Sequence, residues 1–477
     1  MEIQARFDYD KLDHTKANNP HLVVSLKTPI LDWVEKRPAI AILPCIDLSG
    51  SMQGEKLAYA KQSVLKLIEH LAEGDVAGLV TFDDHAKVVV TPAKVTSDFK
   101  VKLANAVKKL QIGGGTNLAE GMVSSIDVIQ RLDLPASFLH RVILFTDGQP
   151  TMGVTSPKAI LKMLGKKRAR ATVSAFGYGE GNCTWGGIDH DFLTALSTQG
   201  KGNYAYVKDP DDALGAFGKE LGGLLSTYAT NLMVEVAPSG GHRIQKVLTN
   251  VEHEEDVTGV VEIPISDILG EETRHFVFET ALAEQKKCFP RATTVFTVRV
   301  SYEVLTEDGS RVIRKCEAMA RVRFVREDDA QAEPHAEVDQ ILALHQMIRT
   351  QLDAEAEAKK GNYEGAVMFM QEVHDNVAAR GHVGVATAAR QTGLRLGDAA
   401  VYANSRGYLS SVANAGTRAF GTSQVDGDAA LVLESCNVAM SSPTQDQYQA
   451  SFETPPITPD LVSADLVIPS STTGKSG

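Results

Sequence analysis

Five oxygen-bearing side chains, Asp47, Ser49, Ser51, Thr116 and Asp147, hold the chemistry that can be read directly from this chain. Three lie in Ile46-Asp47-Leu48-Ser49-Gly50-Ser51-Met52, where an apolar run gives way to a loop. Thr116 follows three glycines in Gly113-Gly114-Gly115-Thr116-Asn117, and Asp147 ends Val142-Ile143-Leu144-Phe145-Thr146 ahead of Gly148. Two carboxylates and three hydroxyls are all hard donors. Such donors suit Mg²⁺, with Mn²⁺ or Ca²⁺ as alternatives and waters completing the shell. Ser49 and Ser51 are two residues apart, so a sharply turning loop can aim both hydroxyls at one point, and Gly50 permits the tight path. Ser, Asp and Gly are also ordinary turn and cap residues at strand–helix junctions, so a bare Asp-x-Ser-x-Ser carries little weight. All five donors in order, each set behind an apolar strand, carry much more.

The elements that must position these donors run from about Arg37 to Ser226. Ala39–Ile46 reads as a buried strand and Lys56–Ala72 as an amphipathic helix with Leu57, Ala60, Val64, Leu67, Ile68 and Leu71 on one face. Asp75–Phe82 and Ala86–Thr91 read as strands so closely spaced that they should form an antiparallel hairpin at a sheet edge. Helices are expected near Asp98–Leu110 and Leu118–Arg131, then a strand at Arg141–Thr146, and Pro157 is placed to open the next helix. Strands at Ala171–Tyr178 and Tyr204–Val207 flank a helix around Phe192–Ser197, and a closing helix is expected over Asp211–Leu225. This alternation implies a doubly wound, mainly parallel sheet covered on both faces. Loops that bind ligands gather at the carboxyl ends of its strands, where all three donor segments are expected.

Beyond Thr227 the texture changes. Leu232–Val236, Val257–Ile263, Arg274–Leu282, Thr293–Val304 and Arg311–Val325 favour β-branched and alternating residues, as an antiparallel β-sandwich would. His21–Thr28 is strand-like and is expected to join that sandwich, leaving the α/β domain as an insertion. The expected division is therefore 1–36 as an N-terminal strand segment, 37–226 as the α/β domain, 227–330 as the β domain, 331–415 as a helical region and 416–477 as a largely disordered tail. In the helical region, Leu342, Met347, Leu352, Ala366, Met368 and Val373 recur at helical spacing around Gly361-Asn362. They predict a helical hairpin, like one tetratricopeptide unit, with its methionines filling the core.

Bulk properties narrow the function. The 477 residues suffice for two or three domains, and 43% hydrophobic with 23% charged residues is ordinary for a globular protein. A net charge of −12 leaves no basic surplus to neutralise phosphates, so nucleic-acid partners are not expected. No segment approaches the roughly eighteen uninterrupted apolar residues of a membrane span. The charged N-terminus lacks a secretory signal, and Cys45, Cys183, Cys288, Cys316 and Cys436 form no disulfide or zinc pattern. A cytoplasmic location with reduced thiols is the simplest expectation.

The donor set and its order resemble the metal-ion-dependent adhesion site of von Willebrand factor type A (VWA) domains, which have a Rossmann-like fold. The resemblance covers residues 37–226. It extends to Leu71-Ala72-Glu73-Gly74-Asp75 and the Thr-Asn-Leu-Ala-Glu-Gly run ending at Gly121, and more softly to Ser266-Asp267-Ile268-Leu269-Gly270-Glu271. It implies Ser49, Ser51 and Thr116 as direct ligands, with Asp47 and Asp147 often acting through water. It also implies an open coordination position for a Glu or Asp of a partner protein. The chain is then expected to be a non-catalytic, metal-dependent binding or scaffolding protein. The alternative is a regulatory VWA subunit of an AAA+ ATPase or chelatase-like complex.

Enzyme classes find no support. The loop after the first strand is not the GxGxxG of a dinucleotide site, and no glycine-rich loop has a Walker A pattern. A haloacid-dehalogenase-like phosphatase would need an Asp where Ser49 stands, and no nucleophile or base accompanies the donors. His85 and His190, each beside Asp, are expected to be exposed loop residues. Trp185 and Cys183 in Gly179–Gly187 are expected on the metal-bearing face, with Trp185 serving packing more than partner anchoring.

Overall fold

A computed structural model describes residues 1–29, 39–135, 138–147, 150–166, 171–179, 188–207, 227–289, 291–305, 310–331 and 333–399, with single positions at 402, 405 and 409. The expected helix at Asp211–Leu225, the Cys183 and Trp185 loop, Cys436 and the tail lie outside these residues.

The α/β domain is built on a six-stranded sheet ordered β6-β5-β4-β7-β8-β9. Its strands are β4 (Ile40–Asp47), β5 (Val76–Phe82), β6 (Ala86–Lys94), β7 (Leu139–Thr146), β8 (Thr172–Tyr178) and β9 (Lys201–Val207). All neighbours are parallel except the β5–β6 hairpin at the edge, as the three-residue spacing predicts. β4 and β5 are buried along their whole length, which explains their unbroken apolar character. One face is covered by α1 (Glu55–His70) and α2 (Ser97–Lys108), packing Leu57, Val64, Leu67 and Val107 against Ile42, Ile46 and Phe145. The other is covered by α3 (Leu118–Gln130), α4 (Pro157–Lys166) and α5 (His190–Gln199), with Met122, Ile126, Ile160 and Leu193 against Leu43, Val80 and Leu144. Pro157 does open α4, where its missing N–H costs nothing.

The remaining strands make two stacked sheets. The first, β1-β3-β14-β11, contains β1 (Glu2–Phe7), β3 (His21–Lys27), β11 (Arg243–Val247) and β14 (Thr273–Ala281). The second, β12-β13-β10-β15-β16-β2, contains β2 (Lys11–Asp13), β10 (Thr227–Pro238), β12 (Glu254–Glu255), β13 (Val261–Leu269), β15 (Thr293–Leu305) and β16 (Arg311–Val325). Every pairing is antiparallel except β16 with β2. β3 lies between β1 and β14, so strands from both sides of the α/β domain share one sheet. Phe7, Leu22, Phe276 and Phe278 interdigitate with Val234, Ile263, Phe296 and Phe324 from the opposing sheet. The strand expected from Val257 begins later: Val257 is exposed and the buried alternation starts at Val261.

The C-terminal helices number three among the described residues, one more than a hairpin: α6 (Ala336–Lys359), α7 (Tyr363–Ala379) and α8 (Val383–Leu396). Gly361 and Gly381, both at φ +85, make the two reversals. Met347 and Met370 are buried with Val373, Val377 and Ala389, whereas Met368 is 65% exposed and is not core. α6 also lays Val338 and Ile341 on Val23 and Val277 of the first sandwich sheet.

Candidate metal centre

Asp47 is the last residue of β4, and Asp147 directly follows β7, its neighbour in the sheet. Asp47 is fully buried. Its Oδ1 accepts the Ser49 N–H at 2.8 Å and its Oδ2 accepts the Thr146 hydroxyl at 2.6 Å. The Ser49 and Ser51 hydroxyls are 3.1 Å apart, and the Ser51 hydroxyl donates to Asp147 Oδ1 at 2.8 Å. Four of the five anticipated donors thus form one hydrogen-bonded chain across the ends of two strands. The loop can do this because residues 50–52 coil into a single 3₁₀ turn pinned by buried Met52. Burial pushes the Asp47 carboxyl up to about 6; the nearby Asp147 charge acts in the same direction, against the hydrogen bonds from Thr146 and Ser49.

The Thr116 loop lies beside the cluster by a different route from the one expected. Its loop follows no strand; it joins α2 to α3. Backbone bonds from Gly50 N–H to Gly114 O (3.0 Å) and Gly113 N–H to Leu48 O (2.6 Å) lace it to the Asp47 loop. On its other side, Thr116 N–H donates to the Thr151 hydroxyl at 2.9 Å, and Thr116 O accepts from the Thr151 and Met152 amides. The buried Thr116 is therefore held between the segments that carry the other donors. The glycines before it serve packing: a Cβ at Gly113 or Gly114 would fall 2.1 or 2.3 Å from a carboxylate oxygen of Asp83 or Asp84, and one at Gly115 would fall 2.7 Å from Met152 Cγ. Asp84 Oδ1 also accepts the Gly115 N–H at 2.7 Å, so the β5–β6 hairpin holds the loop.

Four participants escape a sequence reading of the donor pattern: Thr146, Thr151, Asp84 and Lys56. Thr146 was visible beside Asp147 but carries no motif signal. Lys56 stands one residue into α1 and places its ammonium 2.5 Å from Asp147 Oδ2. Its position on the first turn after the Asp47 loop was the only clue. The histidines divide. His85 is exposed as expected, whereas His190 opens α5, is 1% exposed and hydrogen-bonds the Tyr204 hydroxyl at 2.7 Å. It is a core histidine, because the helix capped by Asp189 turns that ring inward. Cys45, Cys288 and Cys316 are free thiols.

The residues fit a hard divalent ion. Two hydroxyls and two carboxylates, those of Ser49, Ser51, Asp47 and Asp147, converge from two loops with the Thr116 loop laced beside them, and the Asp147 carboxylate, 1% exposed, already faces a cation in the Lys56 ammonium. Groups of three or more His, Cys, Asp or Glu that could hold a metal ion are absent among the described residues. No helix among the described residues is long and apolar enough to cross a membrane.

Comparison with known proteins agrees with this architecture. An uncharacterized protein of Synechocystis sp., sll0103, is 24% identical over 348 residues, covering 71% of this chain and 78% of its own. Inter-alpha-trypsin inhibitor heavy chain H1 of Homo sapiens is 29% identical over 197 residues, 40% of this chain but only 20% of that one. Among solved structures, a von Willebrand factor type A protein from Catenulispora acidiphila matches with a TM-score of 0.64 at 16% identity, covering 81% of this chain and 88% of that one. The ArnB paralog VWA2 from Sulfolobus acidocaldarius gives 0.54 at 14% identity, covering 86% and 98%. Both likenesses extend well beyond the α/β domain. Residues 42–149, which span the Asp47, Thr116 and Asp147 segments, match the von Willebrand factor type A domain family: the chain carries a VWA domain.

Proposed function

We propose that the chain is a non-catalytic protein-binding module that docks an acidic side chain of a partner through a divalent ion, Mg²⁺ in the first instance. The observation that carries this reading is the continuous chain of contacts from Thr146 through Asp47, Ser49 and Ser51 to Asp147, with the Thr116 loop laced to its side. Ser49, Ser51 and Thr116 would hold the ion, while Asp47 and Asp147 orient the hydroxyls and supply negative charge. When bound, such an ion supplies a positive charge with a coordination position open to a partner carboxylate. The chain's own residues do the rest: Thr146 and the Ser49 amide fix Asp47, and Ser51 fixes Asp147. One similar protein is named as an inter-alpha-trypsin inhibitor heavy chain.

Calorimetric titration of the full chain with Mg²⁺ and Mn²⁺ tests the reading. Saturable binding in the wild type, lost in Asp47→Ala and Thr116→Ala, is the expected result. No heat and no thermal shift with either ion would overturn it. A partner retained in the presence of chelator would overturn the metal-bridged mode of docking.

A further inference from the structure

Both oxygens of Asp147 are engaged: Oδ1 by the Ser51 hydroxyl at 2.8 Å and Oδ2 by the Lys56 ammonium at 2.5 Å. The two partners differ in kind. Ser51 is one of the donors and belongs to the loop that must face the ion. Lys56 comes from α1, brings a full positive charge and keeps a third of its side chain in solvent. Its path is confined, because a Cβ at Gly179, just past the end of β8, would lie 3.2 Å from the Lys56 Nζ. The ammonium is therefore seated between the Asp147 carboxylate and a backbone segment that has no side chain.

We infer that Lys56 is a built-in counter-cation that competes with the divalent ion for Asp147 and so sets the metal affinity of the site. The inference rests on the metal-binding reading above. Two physical effects act in the same direction. A unit positive charge held against Asp147 repels a doubly charged ion arriving at the Ser51 hydroxyl beside it, and in a buried site this repulsion is weakly screened. The same ammonium also neutralises a carboxylate that burial would otherwise leave costly, so the chain without metal loses little by waiting. Lysine suits such a role better than arginine, since its single flexible ammonium can leave one oxygen without breaking a bidentate fork.

The test is titration of the full chain and of Lys56→Met with Mg²⁺ alone, read by calorimetry and by thermal shift. Lys56→Met removes the charge and keeps the length of the side chain. It should bind Mg²⁺ at least about ten-fold more tightly than the wild type, and its melting temperature without Mg²⁺ should be lower and recover more on adding it. Lys56→Arg keeps the charge and should stay at or below wild-type affinity, which guards against a nonspecific effect of altering α1. In an Asp147→Asn background, Lys56→Met should no longer tighten binding. Equal or weaker binding by Lys56→Met, in a wild type that binds Mg²⁺, overturns the competition and leaves the metal reading intact. No binding by either chain overturns both.

Discussion

The two ends of β7 each carry an ion pair, and they are built differently. At the amino end, Arg141 reaches out of the VWA sheet to Asp267 of β13 at 2.7 Å, with both side chains under a tenth exposed. At the carboxyl end, Asp147 meets Lys56 with the carboxylate buried and the lysine partly in water. The first pair joins two sheets, and its planar guanidinium tolerates burial better than an ammonium would. Around it, the turn after β13 is tied to the chain entering the VWA domain: the Thr28 hydroxyl donates to Leu269 O and accepts from Glu272 N–H. The second pair has one partly exposed member and stands among hydroxyls that suit an exchangeable ion. One strand therefore anchors a domain at one end and presents a site at the other.

The largest effect should come from the anchored end. Arg141→Ala removes the guanidinium from beside a buried carboxylate and should cost about 3–5 kcal/mol in urea unfolding. Its Mg²⁺ affinity should remain within about two-fold of wild type, since the two ends are separated by the length of a strand. A loss under about 1 kcal/mol would show that the pair is no anchor. A collapse of Mg²⁺ binding with the fold intact would erase the distinction between the ends.

What the residues disclosed beforehand follows the same division between local and distant contacts. β4, β5, β7 and β8 announce themselves as apolar runs because both faces of the sheet are covered. Asp47, Ser49 and Ser51 are legible together because one loop carries them. The pairs at the two ends of β7 join residues 126 and 91 apart in the chain, and no local pattern signals either. The Ser266–Glu271 run stood out only as a soft resemblance, and the Asp267 contact now gives it a physical role. Thr116, expected behind a strand, lies in a loop that joins two helices, because backbone lacing between loops leaves no mark on residue type. The structure has a third C-terminal helix beyond the expected hairpin, set off by Gly381-His382 as the second is by Gly361-Asn362.

A second, smaller effect contrasts the site with the sandwich in acid. His275 of β14 is buried beside the Ser25 hydroxyl, 2.7 Å away, and burial lowers it to about 4 from the usual 6.5. Between those values the unfolded chain binds the extra proton. This contribution to stability is therefore complete above pH 6.5 and is lost as pH falls toward 4, by at most about 3 kcal/mol. Asp47 works with the opposite sign: held up at about 6, it takes its proton in the folded state first and favours folding below that pH. Only the difference between variant and wild type isolates the histidine. His275→Asn should flatten the unfolding free energy between pH 6.5 and 4 by about 1.4 kcal/mol per pH unit relative to wild type. An unchanged slope would mean that this ring is not held neutral by its burial.

The smallest effect belongs to a third ion pair that resembles neither end of β7. Lys359, at the end of α6, lies 2.7 Å from Asp191 in the first turn of α5, with the two side chains 39% and 45% exposed. Water screens both charges, and ordering a long lysine side chain offsets much of what attraction remains. Lys359→Ala should therefore change the unfolding free energy by less than about 0.5 kcal/mol, and the difference should vanish in high salt. The measurement calibrates the other two. If this exposed pair were worth about 2 kcal/mol, burial would not be what separates an anchoring pair from an exchangeable one. The helices would then be leaning on the VWA domain through charge, and the contrast along β7 would need another physical basis.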